Sequence, residues 1–268
     1  MANLQGVEDT LYIPLVSRIY SSEIFPEYFS DKKSGELEQY IPQSHKIKEA
    51  AKEYAVLAAV ARCYNFDKVV NSFIAKHGKC NIINLGAGLE TLYFRVYNSS
   101  AVFYELDFPD VIEIRRKLIG ESPNDILIGG DMLNLEWIQQ TDTSLPTLLL
   151  ASGVFQYFKE DILISFIHNL QQHYPKGELM FDCTDKFGLK MANKYVRKTG
   201  NTSAMMYFYV NNVQEFAAKS NTTLITCLPF FTEAKKILKK KLNLITKILI
   251  YLADWTGKTK LLHLRLNN

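Results

Sequence analysis

The stretch Asn81-Ile82-Ile83-Asn84-Leu85-Gly86-Ala87-Gly88-Leu89-Glu90-Thr91 decides the fold. Its first five residues are a short apolar run with the length and composition of a buried strand. Gly86-Ala87-Gly88 follows as a turn, where the missing Cβ atoms let backbone and ligand approach closely. Glu90 to Tyr97 then reads as a helix. Downstream the alternation repeats. Strands are predicted at Ala101–Leu106, ending in Asp107, at Ile126–Ile128, closed by Gly129-Gly130-Asp131, at Thr147–Ala151 and at Leu179–Cys183. Helices are predicted after Pro109 at Val111–Leu118, and at Glu160–His173. Strands alternating with helices build a parallel α/β sheet with both faces covered, through right-handed crossovers.

Upstream, Asp9 to Tyr40 carries Tyr12, Tyr20, Phe25, Tyr28 and Phe29. A disordered tail is poorer in aromatics, so short helices that pack over another part of the protein are expected. Ser44 to Ile74 has helical spacing through Tyr54, Leu57, Ala58, Ala61 and Cys63. Asn65-Phe66-Asp67 is expected to break that helix, with Asp67 capping a new one over Lys68–Lys76. Further on, Lys186 to Val210 interrupts the alternation and reads as a helical insertion beside the sheet. Leu224–Leu228 and Leu261–Leu266 read as strands joined by one long helix over Thr232–Leu252.

Composition excludes several classes. The chain has 268 residues, 47% apolar and 22% charged, which is ordinary for a globular protein with a sizeable core. A net charge of +3 is too small to imply nucleic acid. Cys63, Cys80, Cys183 and Cys227 show no C-x-x-C spacing, and His168 and His173 do not share a helical face, so no metal site is expected. Met1 to Thr10 lacks the pattern of an export signal, which points to the cytoplasm and reduced thiols. Lys235, Lys236, Lys239, Lys240, Lys241 and Lys247 surround an apolar run from Leu242 to Leu252. The lysines read as a solvated face with the apolar side packed on the domain, and the run is too short to span a bilayer, so no stable membrane insertion is expected.

In open α/β sheets, ligands bind beyond the carboxyl ends of the strands. Asp107, at the end of the strand after the glycine turn, is placed to accept hydrogen bonds from ribose hydroxyls, with Glu105 two residues earlier. A nicotinamide enzyme uses G-x-G-x-x-G, but here Thr91 replaces the last glycine, and Glu90 puts negative charge where a pyrophosphate would lie. A nucleoside bearing a sulfonium cation suits that charge better. Gly130-Asp131-Met132 offers an acceptor and an apolar wall for a purine.

These residues resemble the leucine carboxyl methyltransferase family, which includes tetracenomycin-type polyketide O-methyltransferases. The resemblance rests on Asn84–Thr91, Tyr104–Pro109, Leu145–Leu150 and Gly153-Val154-Phe155-Gln156-Tyr157, in order and at fitting spacing, and covers roughly Glu53 to Cys183. It implies one class I methyltransferase domain over 1–268. The sheet is Rossmann-like and mostly parallel, with an antiparallel last strand. Its parts are a helical N-terminal cap (1–76), a cofactor-binding core (77–185), a helical insertion or lid (186–222) and C-terminal strands with a helix (223–268).

It also implies S-adenosyl-L-methionine as cofactor. On that resemblance Gly86, Ala87 and Gly88 line the methionine and ribose, Asp107 binds the ribose, and Asp131 and Met132 hold adenine. Arg62 grips the methionine carboxylate, a role that suits the two parallel donors of a guanidinium. Ser152 stands where many members carry a glutamate that contacts the cofactor near its amino group. A backbone carbonyl or a nearby carboxylate would have to replace that contact.

Methyl transfer from a sulfonium mainly needs alignment and desolvation. No His–Asp pair declares a general base, which favours an acceptor that is already ionised, a carboxylate or acidic hydroxyl of a small molecule. The catalytic residues and the oligomeric state are not legible. Tyr12, Arg18, Tyr20, Met191, Met205, Met206, Tyr207, Phe208 and Tyr209 are expected to contribute to a substrate lid. The alternatives are a non-catalytic adenosylmethionine binder and a nicotinamide-dependent oxidoreductase.

Overall fold

The computed structural model describes residues 7–42, 44–199 and 205–267. Seven strands form one sheet in the order β3-β2-β1-β4-β5-β7-β6. They are β1 (Cys80–Leu85), β2 (Ala101–Asp107), β3 (Asp125–Gly129), β4 (Thr147–Ala151), β5 (Glu178–Thr184), β6 (Thr222–Pro229) and β7 (Thr259–Leu266). The first five are parallel, while β7 runs antiparallel to both β5 and β6. The α/β class and the antiparallel last strand follow the sequence reading.

Every residue of β1 and β4 is buried, as expected for central strands covered on both sides. Consecutive side chains point to opposite faces. Ile82 therefore packs with Leu57, Val60 and Ala61 of the long helix α4 (Glu53–His77), among the N-terminal helices α1 (Val7–Ile24), α2 (Lys32–Leu37), α3 (Ser44–Ala50) and α4. Its neighbour Ile83 packs on the other face with Leu163, Phe166 and Ile167 of α7 (Glu160–His173). Between them, α5 (Leu92–Val96) and α6 (Pro109–Leu118) follow β1 and β2. After β5 come α8 (Lys186–Thr199) and α9 (Val213–Lys219), and after β6 come α10 (Thr232–Ile237) and α11 (Leu244–Thr256).

Several expectations are corrected. Asn65-Phe66-Asp67 does not break a helix: α4 runs through it. Asn65 Nδ2 donates to the carbonyls of Ala61 (2.7 Å) and Phe230 (3.0 Å), and Asp67 accepts from Arg95, so both polar side chains are satisfied without opening the backbone. The helix expected over Thr232–Leu252 is two helices. Leu238 and Leu242 are buried between them, and Asn243 Oδ1 caps α11 by accepting from the Thr246 amide.

The outer side of α11 does not pack on the domain. Leu244, Ile245 and Trp255 are 72%, 71% and 75% exposed, and only Thr246 and Ile250 are buried. Among the described residues, no helix is long and apolar enough to cross a membrane.

The insertion is helical over α8, and residues 200–204 of the expected stretch lie outside the described residues. Phe208, expected in a lid, is core: its ring meets those of Phe155, Phe181 and Phe216 at 6.4, 6.0 and 5.4 Å. The N-terminal segment is helical, and α1 packs against α4, which itself covers the sheet. Leu15, Val16, Ile19, Leu37 and Ile41 form a cluster of their own with Leu89, directly after the glycine turn.

Candidate functional site

The strand registers bring the predicted groups into one row. Leu85 pairs with Leu106, Asp107 with Gly129, and Ala151 with Phe181. Gly86, Asp107, Gly129, Ser152 and Asp182 consequently stand at the same level along the carboxyl edge of the parallel strands. This row is where the sheet offers ligand-binding chemistry.

Gly86 and Gly88 adopt φ values of 65° and 50°, the left-handed region that glycine enters without strain. Space is limiting as well: a Cβ on Gly86 would fall 2.6 Å from Val154 Cγ2, and one on Gly88 would meet Leu11 of α1 at 3.3 Å. Ala87 is buried, with its amide bonded to the Leu106 carbonyl at 2.9 Å. Asp107 Oδ2 accepts from the Gly88 amide at 2.7 Å and Oδ1 from the Phe108 amide at 2.7 Å. Burial pushes the Asp107 carboxyl up, against the pull of those two amides. Each carboxylate oxygen retains acceptor capacity for a hydroxyl.

Three arginines that the sequence reading did not assign to this turn hold it in place. Arg18 of α1 donates to the Leu89 carbonyl at 2.5 Å, and Arg115 of α6 donates to the carbonyls of Glu90 (2.5 Å) and Gly88 (3.2 Å). Arg95 of α5 donates to Glu90 (2.7 Å) and Asp31 (3.1 Å), and forks onto Asp67 at 2.8 and 2.9 Å. Arg18, expected in a lid, is 3% exposed and pairs with Asp31 at 3.2 Å.

Glu90 is also placed differently from the expectation. Burial opposes its charge, but Arg18 and Arg95 hold its carboxyl well below the usual range. Its charge is neutralised locally, so repulsion of a pyrophosphate is not what it supplies. Thr91, in place of a third glycine, is fully buried and donates to Asp31 Oδ2 at 2.5 Å. That hydroxyl anchors the N-terminal cap to the turn.

At the other end of the row, Arg62 reaches from α4 across Gly153. Its Nη1 meets Asp182 Oδ2 at 3.3 Å, while Asp182 Oδ1 accepts from the Gly153 amide at 2.6 Å. Gly153 has φ 73°, and a Cβ there would lie 2.7 Å from Arg62 Nη1, so glycine is what lets the guanidinium pass. Burial works most strongly against the Arg62 charge, but Asp182, with Cys63 and Glu90 adding to it, leaves the Arg62 pKa raised. Arg62 Nε is buried with no hydrogen-bond partner. A donor left over beside a paired carboxylate is the chemistry that receives an amino-acid end group, so these residues fit the methionine moiety of the implied cofactor.

Asp182 was missed in the sequence because Asp182-Cys183 at a strand end carries no motif. Ser152 is half-buried beside this pair and supplies no charge. Asp131 is exposed and its Oδ1 accepts from the Leu133 amide at 2.9 Å. Met132 is buried, with its carbonyl fixed by Trp137 Nε1 at 3.1 Å.

The lid residues divide. Met191 and Tyr207 are about half exposed, at 49% and 54%, and Tyr12, Tyr20, Met205, Met206 and Tyr209 are partly buried. A cavity of 470 Å³ lies elsewhere, between α4 and the β6–β7 edge, and none of the predicted site residues lines it.

Comparison with known proteins places the chain in a family. The family model for leucine carboxyl methyltransferase matches residues 7–171. A relative from Streptomyces glaucescens, the tetracenomycin polyketide synthesis O-methyltransferase TcmP, is 28% identical over 203 residues, covering 74% of each chain. Human tRNA wybutosine-synthesizing protein 4 is 27% identical over 132 residues, which span 37% of this chain and 19% of that one. Among solved structures, a putative methyltransferase from Thermobifida fusca superposes with a TM-score of 0.58 at 16% identity, covering 94% of both chains. A DUF574 family protein from Streptomyces avermitilis gives 0.57 at 14% identity, covering 93% of this chain and 96% of that one. The chain belongs to the leucine carboxyl methyltransferase family and is a methyltransferase that uses S-adenosylmethionine.

Proposed function

We propose that this protein is an O-methyltransferase whose acceptor is a carboxylate or acidic hydroxyl of a small molecule. The observation that carries the cofactor side is the row of strand-end groups: the glycine turn, Asp107, and the Arg62–Asp182 pair across Gly153. In this reading Arg62 binds the methionine carboxylate through its free donors. Asp182, not Ser152, faces the α-ammonium. Asp107 accepts from the ribose hydroxyls, Gly86, Ala87 and Gly88 let backbone approach, and Asp131 with Met132 borders the adenine. When bound, the cofactor would supply an activated methyl group for an acceptor oxygen, with the sulfonium sulfur as leaving group.

The chain then has three tasks: to align the acceptor with that methyl, to exclude water, and to leave the oxygen ionised. Proton removal is unnecessary for an acceptor that is already an anion. In keeping with this, His77 and His173 end α4 and α7 at the opposite edge of the sheet, and His263 pairs with Glu178 at 2.8 Å. We read the chain as one working domain, in which 1–76 caps the turn of the 77–185 core, 186–222 closes beside β5, and 223–268 completes the sheet. A cytoplasmic setting suits its free cysteines Cys63, Cys80, Cys183 and Cys227.

Calorimetry with adenosylmethionine, adenosylhomocysteine and NAD tests the cofactor roles, and a panel of organic acids and phenols followed by adenosylhomocysteine release tests the acceptor. The expected result is binding of both adenosyl ligands, no NAD binding, and a base-labile methyl ester or a methyl ether. Methylated amines as the only products would overturn the acceptor class and leave the cofactor standing.

A further inference from the structure

Helix α11 is the most conspicuous surface that the methyltransferase reading leaves unused. Leu244, Ile245, Ile248, Leu249, Tyr251, Leu252 and Trp255 are all exposed, from 41% to 75%. At about 100° per residue they fall on one continuous face of roughly 160°. The opposite side holds Thr246 and Ile250 against the domain and Asp254 against Lys235 at 2.6 Å. A monomeric protein seldom leaves so many large apolar side chains together in water.

The charge around this face is one-sided. Lys235, Lys236 and Lys241 are paired with Asp254, Glu233 and Glu27. Among the described residues, no acidic side chain lies within ion-pair distance of Lys239, Lys240 or Lys247, at the start and flank of the same helix. An apolar helix face beside unpaired lysines, with a tryptophan and a tyrosine on it, matches the chemistry of an anionic lipid surface. A second copy of the chain fits less well. A second α11 offers those lysines no counter-charge, since its one acidic side chain, Asp254, is already paired with Lys235.

We infer that α11 docks the protein on an anionic lipid surface, with its apolar face in the headgroup region and Lys239, Lys240 and Lys247 against the lipid charge. The geometry relates this surface to the reaction edge. Lys258, just after α11, sits 4.2 Å over the ring of Phe187 in α8, and its carbonyl accepts from the Asp185 amide at 2.9 Å, at the carboxyl end of β5. Phe187 and Met191 of α8 are themselves 55% and 49% exposed. Lipid bound at α11 would therefore lie beside the strand edge that carries Asp182.

The full-length protein is floated with vesicles of phosphatidylcholine alone and of phosphatidylcholine with phosphatidylserine, and tryptophan emission is read on the same samples. Trp255 is the reporter, because Trp137 is 2% exposed and hydrogen-bonded in the core. Flotation is expected only with the anionic vesicles, together with a blue shift that Trp255→Phe abolishes. Lys239→Gln and Lys240→Gln should each weaken binding about fivefold, and Ile245→Glu by about tenfold or more. Circular dichroism and thermal melting confirm that these surface variants fold. The inference is overturned if the protein ignores anionic vesicles, or if Ile245→Glu leaves flotation unchanged. It is equally overturned if α11 proves to be a dimer face: emission already blue in buffer, and an Ile245→Glu protein that sediments at half the mass.

Discussion

Two arginine clusters flank the glycine turn, and they are built to different standards. Under the turn, Asp31, Glu90 and Asp67 are matched by Arg18 and Arg95, with side-chain exposure of 0% for Asp31 and 6% for Arg95, and almost every donor and acceptor is engaged. Across Gly153, Arg62 has one carboxylate, 21% exposure and a buried Nε with nothing to donate to. A saturated buried network holds structure, since removing any member strands a charge. An unsaturated, half-open one has capacity left for a ligand. Arg115 also holds the turn and keeps two buried donors without hydrogen bonds, but it is fully enclosed, so it is the open flank together with the spare donor that sets Arg62 apart.

The sharpest way to break it is Arg95→Ala. This leaves Asp67, Glu90 and Asp31 short of a partner in a buried setting and should cost ~3–5 kcal/mol of stability in denaturant unfolding. Arg62→Ala should cost much less in that assay, because its partner Asp182 keeps the Gly153 amide. Equal losses from the two variants would erase the distinction.

Next in size is the effect on ligand. Arg62→Ala should weaken adenosylhomocysteine binding by ~2–5 kcal/mol in calorimetry, with little rescue by Arg62→Lys, whose point charge lacks the fork. Asp182→Asn should cost ~1–3 kcal/mol, and only against a ligand that retains its α-amino group. An Asp182→Asn protein that loses affinity equally for the deaminated analogue would assign Asp182 to holding Arg62 and Gly153 alone.

The smallest effect is in pH. Asp107 must be ionised to accept two ribose hydroxyls, and burial raises its carboxyl above 3.8. Affinity for adenosylhomocysteine should hold at neutral pH and fall as acidity drives protons onto that raised group. Asp107→Asn should bind weakly throughout and lose this acid limb. A wild-type acid limb that persists in Asp107→Asn would move the titration to another residue.

The contrast also explains what could be read early. The Gly86-Ala87-Gly88 turn and the acceptor Asp107 are legible because backbone geometry forces them: the turn demands glycine, and the next strand end presents a carboxylate to the Gly88 amide. Arg18 and Phe208 were misread as lid residues. Their roles depend on partners 71 residues away at Leu89 and 53 residues away at Phe155. The break expected at Asn65-Phe66-Asp67 failed for the same reason, since local polar propensity was overruled by Arg95 and by the Phe230 carbonyl.

The sequence by itself determined the parallel α/β sheet, the glycine turn and the acidic residue that follows it, while the antiparallel last strand came from the family resemblance. The first three depend on periodicity and on local backbone demands, which neighbouring residues report directly. Only the tertiary structure decided which charges neutralise each other, that Asp182 pairs with Arg62 across Gly153, and that the apolar side of α11 faces outward. A helix pattern shows that an apolar face exists, but what covers that face depends on elements distant in the chain.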